Sequence, residues 1–226
     1  ARKQHTATLL PNGKVLVAGG HDGTNYLASA ELYDPAMRTF SPTGNLSTRR
    51  VGHSATILSD GSVLVTGGYN GSYTRGAERY DPATGTFSAA GTSSARLGHT
   101  STTLPHGRVL LTGGSNGALL ATAEIYDVVA PQTATTDAMS AGRYEHTANL
   151  LEHDQVLLAG GHTAAGSGSA DVFDGTAISG RTMLTPRAGH TATLLVDGRL
   201  LIAGVENDTG YVGVSELYAQ SAFQSA

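Results

Sequence analysis

The chain has no cysteine and no tryptophan, and only 14% of its 226 residues are charged. Without cysteine there is no disulfide and no thiolate metal ligand, which excludes a stapled mini-domain and a zinc–thiolate site. The net charge of −4, with histidine neutral, lacks the basic surface that a nucleic-acid partner would need. No apolar run approaches the roughly 20 residues that cross a bilayer as a helix, so membrane insertion is not expected. No signal peptide is visible in the sequence, Ala1 is not a natural start, and we expect a mature or trimmed chain. What the chain has in quantity is glycine, 30 residues, beside 39% hydrophobic residues. That mixture fits a turn-rich β protein and does not fit disorder.

The glycines belong to a repeat. Arg-x-x-His-(Thr/Ser) occurs five times, at Arg2/His5, Arg50/His53, Arg96/His99, Arg143/His146 and Arg187/His190, with the histidines 48, 46, 47 and 44 residues apart. Fifteen residues after each histidine a hydrophobic run ends, at Gly20, Gly68, Gly114, Gly161 and Val205. An acidic-x-aromatic triplet follows: Glu31/Tyr33, Glu78/Tyr80, Glu124/Tyr126, Asp171/Phe173 and Glu216/Tyr218. A fixed period of this length signals stacked supersecondary units.

One unit shows its content. His5–Leu10 and Val15–Ala18 are β-type runs separated by Pro11-Asn12-Gly13-Lys14. Asn-Gly between such runs is a hairpin signal, and we expect positive φ at both central turn residues. Gly19-Gly20 ends the apolar strand where the backbone turns or meets a neighbour closely. Ser29–Asp34 is a third strand stopped by Pro35, and Thr39-Phe40-Ser41 starts a fourth. The fourth-strand aromatic is Phe40 and Phe87 in the first two units, Thr133 in the third, and Ile178 and Phe223 on shorter loops in the last two. The fourth unit's turn, Glu152-His153-Asp154-Gln155, lacks glycine and is expected to be different or strained. Each unit is then a four-stranded antiparallel meander that cannot bury both faces alone, and five can pack face to face around an axis.

Val-Leu-Val-Ala-Gly-Gly (15–20), Glu-Leu-Tyr-Asp-Pro (31–35) and Arg-Val-Gly-His-Ser (50–54) resemble kelch repeats at kelch-like spacing, over the whole chain. The resemblance implies an all-β fold: a kelch-type β-propeller of five four-stranded antiparallel blades around a central channel. It would be one domain, residues 1–226, with blades at about 1–48, 49–94, 95–141, 142–185 and 186–226. The tryptophan usual in strand four of the family is replaced by phenylalanine, as bacterial members often do. The family generally closes with six or seven blades, with strands from both chain ends sharing one blade. Here the chain starts at strand one and ends at strand four, and we expect a five-bladed ring closed by side-chain packing alone, hence a monomer.

Candidate site residues fall in three sets. The histidines are expected to be structural, because one residue type in every blade is what a structural role predicts. Arg2, Arg50, Arg96, Arg143 and Arg187 occupy the position at which kelch adaptor proteins bind acidic peptides, so the resemblance makes them ligand candidates. Their alternative is an ion pair with the strand-three acid of the same unit. The loops after Gly-Gly vary most between units, and Tyr26, Tyr69, Tyr73 and Tyr211 in them offer flat amphipathic surface for a sugar or a peptide.

The function these residues suggest is a non-catalytic binding module presenting its loop face to a protein, peptide or glycan. No cofactor and no metal are expected. Kelch propellers also include copper-radical oxidases and sialic-acid mutarotases. The missing cysteine closes the first route, and Arg143/Glu145/His146 is the one cluster with the composition of the second, though neighbouring strand residues point to opposite faces. A structural or assembly role within a larger surface protein is the third reading. The repeat style looks bacterial, and an extracellular or cell-surface location is expected.

Overall fold

The computed structural model describes residues 1–164, 166, 168–204, 206–207, 210–219 and 222–225, the side chains of 206 and 207 excepted. Five four-stranded antiparallel sheets follow one another along the chain. The first holds β1 (Thr6–Leu9), β2 (Val15–Ala18), β3 (Ala30–Asp34) and β4 (Thr39–Pro42). The second holds β5 (Ser54–Ile57), β6 (Val63–Thr66), β7 (Gly76–Asp81) and β8 (Thr86–Thr92). The third holds β9 (Thr100–Leu104), β10 (Arg108–Thr112), β11 (Ala123–Asp127) and β12 (Gln132–Thr135). In the fourth region, β13 (Arg143–Tyr144) pairs with β16 (His162–Thr163) above a blade of β14 (Thr147–Leu150), β15 (Val156–Ala159), β17 (Ser169–Phe173) and β18 (Ile178–Thr182). The fifth blade is β19 (Thr191–Leu194), β20 (Leu200–Ala203), β23 (Ser215–Ala219) and β24 (Ala222–Ser225), with a small hairpin of β21 (Glu206–Asn207) and β22 (Gly210–Tyr211). The chain is a β-propeller of five blades, with the first strand of each blade innermost.

Register inside each blade follows the repeat. The strand-three aromatic faces the strand-four position expected of it: Tyr33 opposite Phe40, Tyr80 opposite Phe87, Tyr126 opposite Thr133, Phe173 opposite Ile178 and Tyr218 opposite Phe223. The first turn differs from expectation. Gly13 has positive φ but Asn12 does not, and Leu10 N–H bonds Lys14 C=O. The turn is a three-residue loop whose last residue is left-handed, and only that position demands glycine. The fourth blade's turn is strained as expected: His153 and Asp154 both have positive φ, at 57° and 60°.

The core lies between blades. Second strands alternate, so one set of side chains faces each neighbour. Val63 and Val65 pack with Leu16 and Ala18 of the first blade, while Leu64 packs with Val109 and Leu111 of the third. Leu110 packs on Val156 and Leu158, and Leu157 packs on Leu200 and Ile202. Four such cores join five blades, and among the described residues none joins the fifth blade to the first. Val15 and Val17 on one end face, and Leu201 and Ala203 on the other, stay only half-buried.

Backbone hydrogen bonds tell the same story. Gly20, Gly68, Gly114 and Gly161 each donate to the carbonyl of the next blade's arginine, at 2.8–3.0 Å. Near the axis a second series runs from Gly52 to Gln4, Gly98 to Gly52, Glu145 to Gly98 and Gly189 to Glu145. Among the described residues neither series returns from the fifth blade to the first. The expectation of a ring closed by side-chain packing is therefore corrected: among the described residues no core and no backbone hydrogen bond joins the fifth blade to the first, and the five blades form an open arc.

Candidate functional site

Each repeated arginine is built into its blade. The arginine precedes strand one, and its guanidinium reaches across to the end of strand two and the start of strand three. Arg50 Nη1 donates to Gly67 O at 2.8 Å and Gly76 O at 2.9 Å, and Nη2 meets Glu78 Oε1 at 2.6 Å. Arg96 does the same with Gly113 O and Glu124, Arg143 with Gly160 O and Asp171, and Arg187 with Gly204 O and Glu216. The side chains of these four are 0% exposed. Burial pulls the Arg50, Arg96 and Arg143 guanidiniums below the usual arginine range, and the partner carboxylate opposes it.

The carboxylates are spent as well. Glu78 also accepts from Ser47 and Thr48 N–H, Glu124 from Ser94 N–H, Asp171 from Ser140, and Glu216 from Leu184 and Thr185 N–H. All these donors lie on the linker from the preceding blade. Arg2 makes the same contacts within its blade, but among the described residues no linker N–H donates to Glu31, and its side chain is 40% exposed against 4% or less for the other four acids. The expectation of an arginine face open to ligand is corrected on these grounds. Arg50, Arg96, Arg143 and Arg187 are struts sealed from solvent, and Arg2 is the partly exposed one, at the end face of the arc.

Four of the five histidines are structural and reach hydroxyl groups of the preceding blade. His53 Nε2 lies 3.0 Å from Thr6 Oγ1, His99 Nε2 2.7 Å from Ser54 Oγ, His146 Nε2 3.0 Å from Thr100 Oγ1, and His190 Nε2 2.9 Å from Thr147 Oγ1. Each reaches back to the preceding blade. Burial, then the neighbouring arginine charge, pushes His53 and His146 down to about 3 and His190 to about 4. His99 is also driven well below the usual range. No group of three or more metal-ligating side chains occurs among the described residues.

What remains for function is the face that carries the loops after Gly-Gly. Here the residue after each arginine pairs with the residue after Gly-Gly: Lys3 with His21, Val51 with Tyr69, Leu97 with Ser115, and Tyr144 with His162. Opposed residues of an antiparallel pair put their side chains on one face, so each pair contributes a two-residue tile around the axis. The tyrosines expected here assemble across the first two blades. His21, Tyr26, Tyr69 and Tyr73 form an edge-to-face chain with ring centroids 5.3, 5.8 and 5.2 Å apart. Tyr26 and Tyr69 line a cleft of about 340 Å³ together with Lys3, Gln4, His21, Val51 and Leu97. Tyr211 is not part of it: it stands on the small hairpin of the fifth blade, 90% exposed. Its neighbours Asp208 and Thr209 lie outside the described residues.

The Arg143/Glu145/His146 cluster divides at the left-handed Glu145 between β13 and β14. Arg143 and His146 are buried in blade contacts, while Glu145 turns to the rim, where its Oε2 is 3.6 Å from His162 Nε2. Tyr144 stacks on the same imidazole with centroids 4.8 Å apart. The sequence did not single out His162 or Lys3. Their signal was positional, since both occupy tile positions that vary between repeats.

The comparisons agree with this architecture. The Kelch motif profile matches residues 2–47 and 49–93. No curated protein sequence matches the chain. A structure of the protein YjhT is similar with a TM-score of 0.81 at 16% identity, covering 100% of this chain and 84% of that one. A fungal alcohol oxidase of the AA5 family, in complex with copper, is similar with a TM-score of 0.80 at 17% identity, covering 98% of this chain. The chain spans about half of that oxidase, 52% of its length. Strand order, blade register and these likenesses define a β-propeller. Two of its repeats, at residues 2–47 and 49–93, match the Kelch motif.

Proposed function

We propose that the protein is a binding module that uses its loop face to hold a protein, peptide or glycan ligand. The observation that carries this reading is the aromatic chain His21–Tyr26–Tyr69–Tyr73 beside an open cleft, on a scaffold in which Arg50, Arg96, Arg143 and Arg187 are buried struts and His53, His99, His146 and His190 bond the preceding blade. Phenol rings supply broad apolar contact with a polar tip at low entropic cost, and they are held here by two adjacent blades. None of the hydroxyls of Tyr26, Tyr69 and Tyr73 bonds another described residue, so all three are available to a ligand.

The test is a glycan and peptide array probed with the wild-type chain and with the Tyr26→Ala/Tyr69→Ala double variant. Ligands captured by the wild type should be lost by the variant, while its thermal midpoint stays within a few degrees. Retention of every ligand by the variant would refute the loop-face reading.

A carbohydrate-active reading has one observation in its favour, the Glu145–His162 pair at the rim. A carboxylate beside an accessible imidazole is a usable acid–base pair. The buried Arg143 cannot serve as its anion clamp, so this reading stands second.

A further inference from the structure

We propose that the cleft between the first two blades binds a carboxylate-bearing pyranose, a sugar acid of the uronic type. This rests on the loop-face reading and names the ligand class for the same site.

The first ground is the polar character of the cleft. Its lining residues are Lys3, Gln4, His21, Tyr26, Val51, Tyr69 and Leu97, and not one is acidic. The chain as a whole carries more acids than bases, 18 against 14, so an acid-free concavity with a cation in it runs against the composition. The Lys3 ammonium forms no ion pair with any described carboxylate. Asp22 is adjacent, but its Oδ1 is turned to its own loop, accepting from Thr24 and Asn25 N–H at 2.8 and 2.6 Å.

The second ground is the set of donors. Gly23 N–H donates to His21 Nδ1 at 3.0 Å, so in the neutral ring the proton is on Nε2 and that nitrogen is a donor. Lys3 and His21 exchange both backbone hydrogen bonds, at 3.0 Å each, so ammonium and imidazole rise from one tile. Both line the cleft and offer two donors to a carboxylate there, and charge-assisted bonds of this kind are the strong ones. The Gln4 amide sits beside them. Gln4 holds φ at 53°, a conformation in which three of the four other blades use glycine, and it is fixed there by Gly52 N–H on its carbonyl.

The third ground is shape. Tyr26 and Tyr69 meet at 82°, forming a corner with one phenol wall and one phenol edge. A pyranose offers an apolar C–H face to such a wall and a ring of hydroxyls to the free phenol groups. The cleft's volume of about 340 Å³ is at the small end for ligand pockets, which suits a single ring better than an extended peptide.

The experiment is an amide NMR titration of the full chain with D-glucuronate, and with D-glucose and glutamate as comparators. Glucuronate should shift the amides of Lys3, Gln4, His21, Val51 and Tyr69 saturably, and bind about tenfold more tightly than either comparator. Lys3→Ala, at an exposed position, should reduce glucuronate to the affinity of glucose, and added salt should weaken glucuronate selectively. Equal binding of glucose and glucuronate would overturn the carboxylate seat, and equal binding of glutamate would overturn the ring. No saturable shift at these amides up to about 10 mM would overturn the proposal outright. In each case the array result with the tyrosine double variant still decides the loop-face reading separately.

Discussion

Thr66 Oγ1 of the second blade and His99 Nε2 of the third lie 2.9 Å apart across a blade boundary, both buried. The same kind of contact recurs at each of the other three boundaries, so the repeated histidine is an interblade fastener. It works only as a neutral ring, since protonation would place a second cation beside the buried arginine.

The pH dependence follows. His53 and His146 titrate near 3 and His190 near 4 in the folded protein, and His99 is also well depressed, against about 6.5 in an unfolded chain. Between those values the unfolded state binds more protons, so stability is full above about pH 6.5 and falls as pH drops through 6 and 5. Each histidine adds a slope of up to about 1.4 kcal/mol per pH unit. Guanidinium midpoints from pH 8 to 5 should show this, and His99→Asn should reduce the slope by about one proton. A flat profile would contradict the fastener role.

The arginine struts give a graded prediction. Arg50→Ala leaves Glu78 buried without its cation and should cost about 3–5 kcal/mol. Arg2→Ala leaves Glu31 at the exposed end face and should cost about 1 kcal/mol or less. Denaturant unfolding of the two variants measures the difference. Equal costs would mean that the strut's burial is irrelevant.

Glu145 occupies a left-handed conformation, φ 54°, where the second, third and fifth blades have Gly52, Gly98 and Gly189 at 59–65°. Glu145→Gly should therefore raise stability by about 1 kcal/mol, and Glu145→Ala should give no such gain because it keeps a Cβ at positive φ. Thermal midpoints of the pair separate the backbone effect from loss of the side chain.

The open arc predicts a gradient of protection. Amides of Val15–Ala18 and Leu200–Ala203, each with one unpartnered face, should exchange faster than those of Val63–Thr66 and Val156–Ala159. Hydrogen exchange read by mass spectrometry tests this. Uniform protection across all five second strands would mean that the end faces are covered in solution.

Much of the molecule was legible in the chain because each blade is a local object. The strand-four partners Phe40, Phe87, Thr133, Ile178 and Phe223 were found by counting from the strand-three aromatic, since hairpin register is set by loop length. The strain at His153 and Asp154 was legible because a turn without glycine has few alternatives. The first turn was misjudged because Asn-Gly alone does not reveal whether the loop has two residues or three.

The sequence by itself determined the repeat, the four strands of each unit and the positions facing one another within a blade. These depend on alternation, turn chemistry and contacts within one period. Only the tertiary structure decided that Arg50, Arg96, Arg143 and Arg187 are sealed under their own blades, that His53, His99, His146 and His190 bridge to hydroxyls next door, and that Tyr26 meets Tyr69. It also decided that the first and fifth blades do not meet. Those outcomes depend on the angle and distance between units, and a repeating pattern is the same in every unit whether or not a neighbour is there to complete it.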